Sequence, residues 1–238
     1  GRIVRLLARA AQDKVAAPPP TPQQDPTNLV LQAYGQASPL APRYSTDNDP
    51  RRYVPRKLAL TPVQAGGIPA ATAANIRQAW LWPGTAYPLP GKASAVRGCV
   101  RKGAALATAA PVAWARVVFT RPGPVPPNFA NEVTLGYAHG DDRGEFLAVF
   151  GPDAVPGGAA LPASLALHAW LFLPPAASTF DAADPLASLP LEVGGTTALN
   201  DVLRGTEVPA GYVKKGPVAV TLPLGRVLAI ADADLLFP

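Results

Sequence analysis

The sequence predicts an all-β fold, arranged as a β-sandwich, on three observations. Several short segments alternate apolar and polar residues with a period of two, the pattern of strands buried on one face. The 238 residues include 30 prolines and 21 glycines, which interrupt the chain too often for long helices. Apolar residues make up 48% of the sequence, enough to build a packed core rather than a disordered chain.

Six segments carry the strand pattern, and we expect them to form the body of the sandwich. They are residues 96–102, 112–120, 132–138, 145–150, 165–173 and 218–230. In the second segment Val117 and Phe119 face the core, whereas Trp114 and Arg116 point outward. The third turns Val133, Leu135 and Tyr137 to one side. The fifth is apolar on both faces, so we expect a central strand or one covered by another layer.

Three motifs occur in order between residues 96 and 150. They are V-x-G-x-V at residues 96–100, P-x-x-x-A-x-V at 111–117 and D-x-x-G-x-F at 141–146, the last of which begins with a predicted turn. Together they resemble the carboxypeptidase regulatory-like, or transthyretin-like, domain. The resemblance implies a transthyretin-like, Ig-like Greek-key β-sandwich that serves as a scaffold and contributes no catalytic residues. Residues 121–131 are longer and richer in proline than that family's pattern.

The residues ahead of the sandwich differ from it in composition. Residues 1–27 are predicted to form a basic amphipathic helix followed by a proline-rich linker. Residues 28–95 are expected to form an extended arm or an accessory β layer. Candidate strands in that arm are residues 29–34, 53–60 and 76–82. The sandwich domain is then predicted to span residues 96–238.

Net positive charge is confined to the first quarter of the chain. Residues 1–60 contain nine Lys or Arg and four Asp or Glu, whereas residues 61–238 contain twelve of each kind. We therefore expect the N-terminal helix to dock on an acidic protein surface. The candidate interaction residues on it are Arg2, Arg5, Leu6 and Arg9. The alternatives are a helix folded back on its own domain and a helix lying on an anionic membrane.

Aromatic residues provide a second group of candidate interaction residues. Trp80, Trp82 and Tyr87 cluster between prolines just ahead of the predicted sandwich. They are expected to plug one end of the core, to anchor an interface or to form a sugar-stacking platform. Phe237 belongs to an apolar segment, residues 235–238, that tucks into the domain or adds to a neighbouring chain.

The two histidines do not form a convincing reactive site. His139 lies close to Asp141 and Asp142 in a polar turn, where we expect solvated residues rather than a cation site or an acid–base pair. His168 alternates with Trp170 on an apolar strand, and we expect it to be hydrogen-bonded beneath a covering layer. The sequence accordingly predicts no catalytic, metal-binding or cofactor-binding residues.

Cys99 is the single cysteine, so it forms no internal disulfide. Arg97 and Arg101 flank it, and their positive charges could lower the pKa of the thiol. We nevertheless expect Cys99 to be a small, half-buried strand residue. A single thiol favours synthesis in the cytoplasm, and residues 1–17 are too charged for a signal peptide. Incorporation into a virion-like or extracellular particle is the expected later step.

The predicted function is that of a non-catalytic structural subunit in a large protein assembly, by analogy with phage tails and contractile injection machines. Its partners are expected to be other protein subunits in a homo- or hetero-oligomer, and neither nucleic acid nor a membrane is expected. A carbohydrate- or surface-binding module that uses the aromatic cluster is the alternative. An enzyme centred on His139 and Asp141 is the third hypothesis.

Overall fold

A computed structural model describes residues 2–6, 51–60, 79–123, 125–155, 162–175, 188–193 and 200–238. Within these ranges the chain is mostly β, as predicted, and the one α-helix is a single turn, α1 (Asp201–Arg204). No helix in these ranges has the length and apolar character needed to cross a membrane. The strands in chain order are β1 (Arg2–Leu6), β2 (Tyr53–Val54), β3 (Arg56–Leu60), β4 (Trp82–Pro83), β5 (Ser94–Cys99), β6 (Arg101–Lys102), β7 (Ala110–Pro111), β8 (Arg116–Arg121), β9 (Val133–His139), β10 (Glu145–Phe150), β11 (Ser164–Leu173), β12 (Leu191–Val193), β13 (Val213–Pro223), β14 (Val227–Ala229) and β15 (Leu236–Phe237).

The chain divides into two compact units. The first unit consists of Gly1–Leu81 and Ala177–Pro209, and the second of Trp82–Ala176 and Ala210–Pro238. The predicted boundary at residue 96 therefore falls inside the second unit. Residues 82–95 belong to the same unit as all six predicted sandwich segments, whereas Ala177–Pro209, which the prediction included in the sandwich domain, belongs to the first unit.

Two sheets form the body of the second unit. The larger has four antiparallel strands in the order β13-β11-β8-β9. The smaller has the order β10-β5-β14, in which β5 pairs antiparallel with β10 and parallel with β14. β11 is the central strand predicted from residues 165–173, because it pairs with β13 on one side and with β8 on the other. A short third sheet has the order β15-β6-β7.

The two larger sheets share one hydrophobic core, as their alternating patterns require. The core-facing side chains predicted from the sequence and found there are Val96, Val100, Ala115, Val117, Phe119, Phe146, Ala148 and Phe150. On β11, Leu165, Leu167, Ala169 and Leu171 also enter this core. The period-two alternation therefore predicted the buried face correctly on β5, β8 and β10.

On β9 the predicted grouping of Val133, Leu135 and Tyr137 on one side is only partly correct, because Leu135 packs against the core but the other two do not. Ala138 is the β9 residue buried in the core, whereas Val133 is exposed and Tyr137 contacts Trp82 instead. The register between β8 and β9 shifts between Phe119 and Thr120. A bulge of this kind reverses the face that the following residues present, so a single alternation cannot hold along the whole strand.

The opposite face of β11 is covered, as its apolar character on both faces predicted. Phe129 packs edge-on against Trp170 and Phe172, with ring centroids 5.6 and 5.3 Å apart. Phe129 opens a 3-10 turn, Phe129–Asn131, in which the Asn128 side chain caps the start by accepting a hydrogen bond from the N–H of Ala130. Phe129, within the described part of the proline-rich segment, thus covers the outer face of the sheet.

The turn predicted at residues 141–144 is present and joins the two main sheets. Oδ1 of Asp141 accepts hydrogen bonds from the backbone N–H groups of Arg143 and Glu145, at 2.9 and 3.0 Å. Gly144 has a φ of 73°, a conformation that glycine adopts without strain. The same region corrects two predictions: Trp114 and Arg116, both expected to point outward, are only 3% and 4% exposed. Trp114 lies in a turn with a φ of 62°, so strand alternation does not apply to it.

In the first unit, β3 is the middle strand of a three-stranded sheet. It pairs antiparallel with β1 and parallel with β12. The predicted N-terminal helix is therefore wrong over Arg2–Leu6, where the backbone forms a strand. The adjacent β-branched residues Ile3 and Val4 favour an extended backbone, and pairing with β3 satisfies backbone groups that a short isolated helix would leave exposed. The rest of the predicted helix and linker, residues 7–27, lies outside the described residues.

Candidate interaction sites

A buried ion pair organises the first unit. Nε of Arg56 donates to Oε1 of Glu192 at 3.1 Å, and Nη2 donates to Oε2 at 2.7 Å. The two side chains are 1% and 2% exposed. Paired geometry of this kind satisfies both charged groups away from water. The pair links the neighbouring strands β3 and β12.

The remaining donors of the same guanidinium bind backbone carbonyls. Nη1 of Arg56 donates to the carbonyl of Leu203 at 2.8 Å and to that of Trp80 at 3.3 Å, and Nη2 donates to the carbonyl of Val202. The last carbonyls of a helix have no partner within the helix, and Arg56 provides one for α1. One buried side chain therefore fixes β12, the end of α1 and the backbone at Trp80.

Trp80 is held by its backbone while its side chain faces solvent. Its N–H donates to the carbonyl of Leu203 at 3.1 Å, and its own carbonyl accepts from Arg56. The residue is nevertheless 47% exposed. The guanidinium carbon of Arg204 lies 5.9 Å from the centre of the indole, a cation–π contact, and Arg204 also pairs with Asp201. The result is an exposed indole on a fixed backbone, flanked by charged groups.

Trp82 and Tyr87 are in a different situation. Trp82 belongs to the second unit, where it stacks on the ring of His139 at 4.7 Å and meets Tyr137 edge-on at 6.1 Å. Both Trp82 and Tyr87 are half-buried. Of the three expectations for this cluster, a packing role describes Trp82, and Trp80 alone is exposed. The candidate strand at 76–82 is found only at its end, in β4, and residues 76–78 lie outside the described residues.

Phe237 tucks into the second unit, one of the two alternatives left open by the sequence. It lies on β15, which pairs parallel with β6, and it packs against the hydrophobic core. The ammonium group of Lys215 lies 5.6 Å from the centre of its ring and donates to the carbonyl of Leu236. Phe237 is therefore a packing residue within its own unit.

Three of the four basic-segment candidates lie on β1. Arg2 is opposite Leu60, Arg5 opposite Lys57 and Leu6 opposite Arg56 in the register with β3. Arg9 lies outside the described residues. The helical face that grouped these residues in the sequence is absent over residues 2–6, because neighbouring residues of a strand alternate between its two faces.

His139 and Asp141 are buried, contrary to the expectation of solvated turn residues. They are 1% and 4% exposed. Burial raises the pKa of Asp141 to about 6, although the hydrogen bonds that its carboxylate accepts from two backbone N–H groups act to lower it. The prediction was wrong because the turn lies beside the paired strands β8 and β9, which bury it. The polar residues of the local sequence do not reveal this burial.

A polar cluster around Glu132 was not anticipated from the sequence. The Glu132 side chain is 1% exposed. Its carboxylate accepts from the hydroxyl of Thr120 at 2.5 Å, the indole N–H of Trp170 at 3.0 Å, Nδ1 of His168 at 2.7 Å and the N–H of Gly123 at 3.4 Å. Because a carboxylate only accepts, His168 carries its proton on Nδ1. The expectation of a hydrogen-bonded His168 beneath a covering layer is confirmed.

The electrostatics of Glu132 follow from these contacts. Burial alone would raise its pKa, but the hydrogen bonds from Thr120, Trp170, His168 and Gly123 outweigh burial and lower the pKa to about 2. The carboxylate therefore stays ionised and ties residues 121–132 to the outer face of β8 and β11. No local spacing in the sequence reveals this partner of Glu132, because His168 is 36 residues away.

Metal-ligating side chains and the single thiol are the remaining candidates for a reactive site among the described residues. No group of three or more His, Cys, Asp or Glu converges there as a metal site requires. Cys99 is half-buried, and burial raises the pKa of its thiol, although Arg101 acts in the opposite direction. The pKa lowering that the flanking arginines suggested is therefore not found, because burial has the larger effect.

Comparison with known proteins does not place the chain in a family. It matches no protein-family model, no curated protein and no solved structure.

Proposed function

We propose that this chain is a non-catalytic structural subunit of a larger protein assembly, and that Trp80 anchors one of its contacts. The observation that carries the proposal is the exposed indole of Trp80 on a backbone fixed by Arg56 and Leu203. Phage tails and contractile injection machines provide the analogy for such an assembly. The proposed fold of the body is a transthyretin-like, Ig-like Greek-key sandwich, with the N-terminal arm beyond β1 docking on neighbouring subunits.

The chemistry of the Trp80 surface suits a protein interface. Tryptophan and arginine are the residues most enriched among those that dominate binding energy, and here Trp80 and Arg204 lie side by side. Holding the backbone in place before binding reduces the entropy lost on association. The exposed indole with its neighbouring ion pair of Arg204 and Asp201 therefore combines an apolar anchor with a polar rim.

Sedimentation of the native chain tests the proposal. Lysate from the native source is separated on a density gradient, and the chain is detected with an antibody. We expect wild-type chain in fractions far heavier than its own 24.6 kDa, and a Trp80→Ala variant expressed in its place in lighter fractions. Leu106→Ala is the matched control, since Leu106 is 42% exposed and lies in the second unit. Wild-type chain that sediments at its own mass would overturn the proposal.

A carbohydrate- or surface-binding module is the second candidate, because an exposed indole beside charged groups is also suited to stacking on a sugar ring. Glycan-array binding distinguishes the two. The structure sharpens the test, since Trp82 is engaged with His139 and Tyr137. Binding that is lost in Trp80→Ala but retained in Tyr87→Phe would favour this candidate over the assembly subunit.

The enzyme hypothesis centred on His139 and Asp141 receives no support from their surroundings. Both side chains are covered, and Trp82 stacks on the imidazole. A general base must reach the proton that it removes from a substrate. A buried histidine beneath an indole suits packing better than proton transfer.

A further inference from the structure

β13 forms one edge of the four-stranded sheet in the second unit. Nine of its eleven residues pair with β11, and the register is interrupted at Gly216 and Pro217, between Ala169 and Leu171 of β11. No other strand in the described part of the chain pairs with its second edge. Alternate residues of an edge strand direct their N–H and C=O groups away from the sheet, so an open edge is a ready template for another strand.

The first half of β13 is protected against such pairing. Lys214 and Lys215 introduce charge. The ammonium group of Lys214 lies over the rings of Phe129 and Trp170, and that of Lys215 lies over the ring of Phe237. Pro217 has no N–H to donate, and Gly216 has a φ of 124°. Charged residues and prolines are the usual means of blocking an edge strand.

The second half of β13 carries no such protection. Residues 218–222, Val-Ala-Val-Thr-Leu, contain no charge, no proline and no glycine. Val220 and Leu222 are buried in the core, whereas Ala219 and Thr221 are exposed on the other face. The strand ends at Pro223, after which the chain turns. An uncharged segment of five residues, three of them β-branched, therefore adjoins a blocked one.

The pattern of this segment is complementary to itself in the antiparallel direction. With Val220 opposite Val220 of a second copy, Val218 lies opposite Leu222 and Ala219 opposite Thr221. A two-fold axis through that point keeps the core-facing side chains of both copies on one side and their small side chains on the other. No like charges meet within the five pairs. A charged or irregular partner strand would lack this match.

We propose that residues 218–222 of β13 pair antiparallel with the same residues of a second copy, joining two four-stranded sheets into one. A second copy of the chain is thereby one partner of the proposed assembly subunit. Only the biological role of this pairing rests on the proposed function, whereas the pairing itself does not. It lies in the second unit and does not involve Trp80. The blocked first half of β13 limits the pairing to these five residues and fixes its register.

Sedimentation velocity of the purified full chain tests this pairing, over about a thousand-fold range of concentration. The wild-type chain shifts from 24.6 kDa to twice that mass as concentration rises. Two double variants test the register: Ala219→Lys with Thr221→Lys, and Ala219→Glu with Thr221→Glu. Each places like charges opposite one another, so each alone dimerises at least about tenfold more weakly than the wild type. An equimolar mixture of the two restores the dimer, which also shows that both variants fold.

Two controls separate this contact from other causes. Ala166→Lys places a charge on the same exposed face but on β11, opposite Thr221 in the register, and leaves dimerisation intact. Trp80→Ala also leaves it intact, so that loss of the assembly contact and loss of the β13 contact are distinguished. A wild-type chain that remains at 24.6 kDa throughout, or lysine variants that dimerise as the wild type does, overturns the proposal. A mixture that fails to restore the dimer overturns the register.

Discussion

Arg56 and Glu192 are 136 residues apart in the sequence and form a bidentate ion pair that is almost fully buried. The guanidinium of Arg56 also binds the carbonyls of Leu203 and Trp80. One arginine therefore links a buried carboxylate, the end of α1 and the backbone that presents the proposed anchor. The stability of the first unit and the position of Trp80 depend on the same group.

Removing one partner of this pair should be costly. Arg56→Ala leaves the carboxylate of Glu192 buried without its counter-ion, and we expect a loss of about 3–5 kcal/mol in the free energy of unfolding. Arg204→Ala is the control, because its pair with Asp201 is exposed and should contribute less than about 1 kcal/mol. Urea unfolding measures both variants. Equal losses in the two variants would show that Arg56 does not hold the unit together.

Acid should weaken the attachment of residues 121–132. The pKa of Glu132 is about 2 in the folded chain against an ordinary value of 4.5, so its stabilisation is present above pH 4.5 and is lost as the pH falls towards 2. Glu132→Gln should remove this acid dependence, on the order of 2 kcal/mol between those limits. Urea unfolding at a series of pH values measures it. A variant whose acid limb matches the wild type would contradict the role given to this carboxylate.

Asp141 should have the opposite pH dependence. Its pKa of about 6 lies above the ordinary value of 3.8, so its contribution is greatest below pH 3.8 and is lost as the pH rises through 6. Asp141→Asn keeps an Oδ1 acceptor for the N–H groups of Arg143 and Glu145 but cannot ionise. We expect the variant to be more stable than the wild type at pH 8 by about 2 kcal/mol and to lose that advantage near pH 4. Thermal unfolding at the two values decides whether this crossover occurs.

Gly144 occupies a position where a side chain does not fit. A Cβ there would lie 2.7 Å from the carbonyl oxygen of Val100 and 2.9 Å from the amide nitrogen of Val112, and φ is 73°. Gly144→Ala should therefore lower the free energy of unfolding by about 1–3 kcal/mol. Gly151→Ala is the matched control, since no atom lies within 4 Å of its Cβ position. Chemical unfolding that ranks the two variants equally would argue against this account of the turn.

The strands of the second unit were largely predictable because a strand that is buried on one face alternates apolar and polar residues, a pattern visible within that strand's own sequence. Val96 and Val100 in one predicted strand, and Phe146 and Phe150 in another, alternate with residues of the opposite face, and all four are core residues. On β9 the phase was only partly correct, because a shift in register near Thr120 changes which residues face inward. Such a shift depends on the neighbouring strand and is not visible in the segment itself.

The polar sites were not predictable for a related reason. Glu192 lies in a short strand far from Arg56 in sequence, and Glu132 receives donors from β8 and β11. These partners are brought together by tertiary structure, and no local spacing marks them. The sequence identified Trp80 as a candidate because it lies in a cluster of aromatic residues between prolines. Only the structure distinguishes the exposed Trp80 from Trp82, which stacks on His139.

Hydroxyl-radical footprinting of Trp80 tests the proposed interface most directly. The chain is labelled once after purification and once within intact native particles, and oxidation of each tryptophan is measured by mass spectrometry. Trp114 and Trp170, which are 3% and 4% exposed, serve as internal references. We predict strong labelling of Trp80 in the purified chain and strong protection in the particles, with the references unchanged. Equal labelling of Trp80 in both samples would contradict its role as the anchor of an assembly contact.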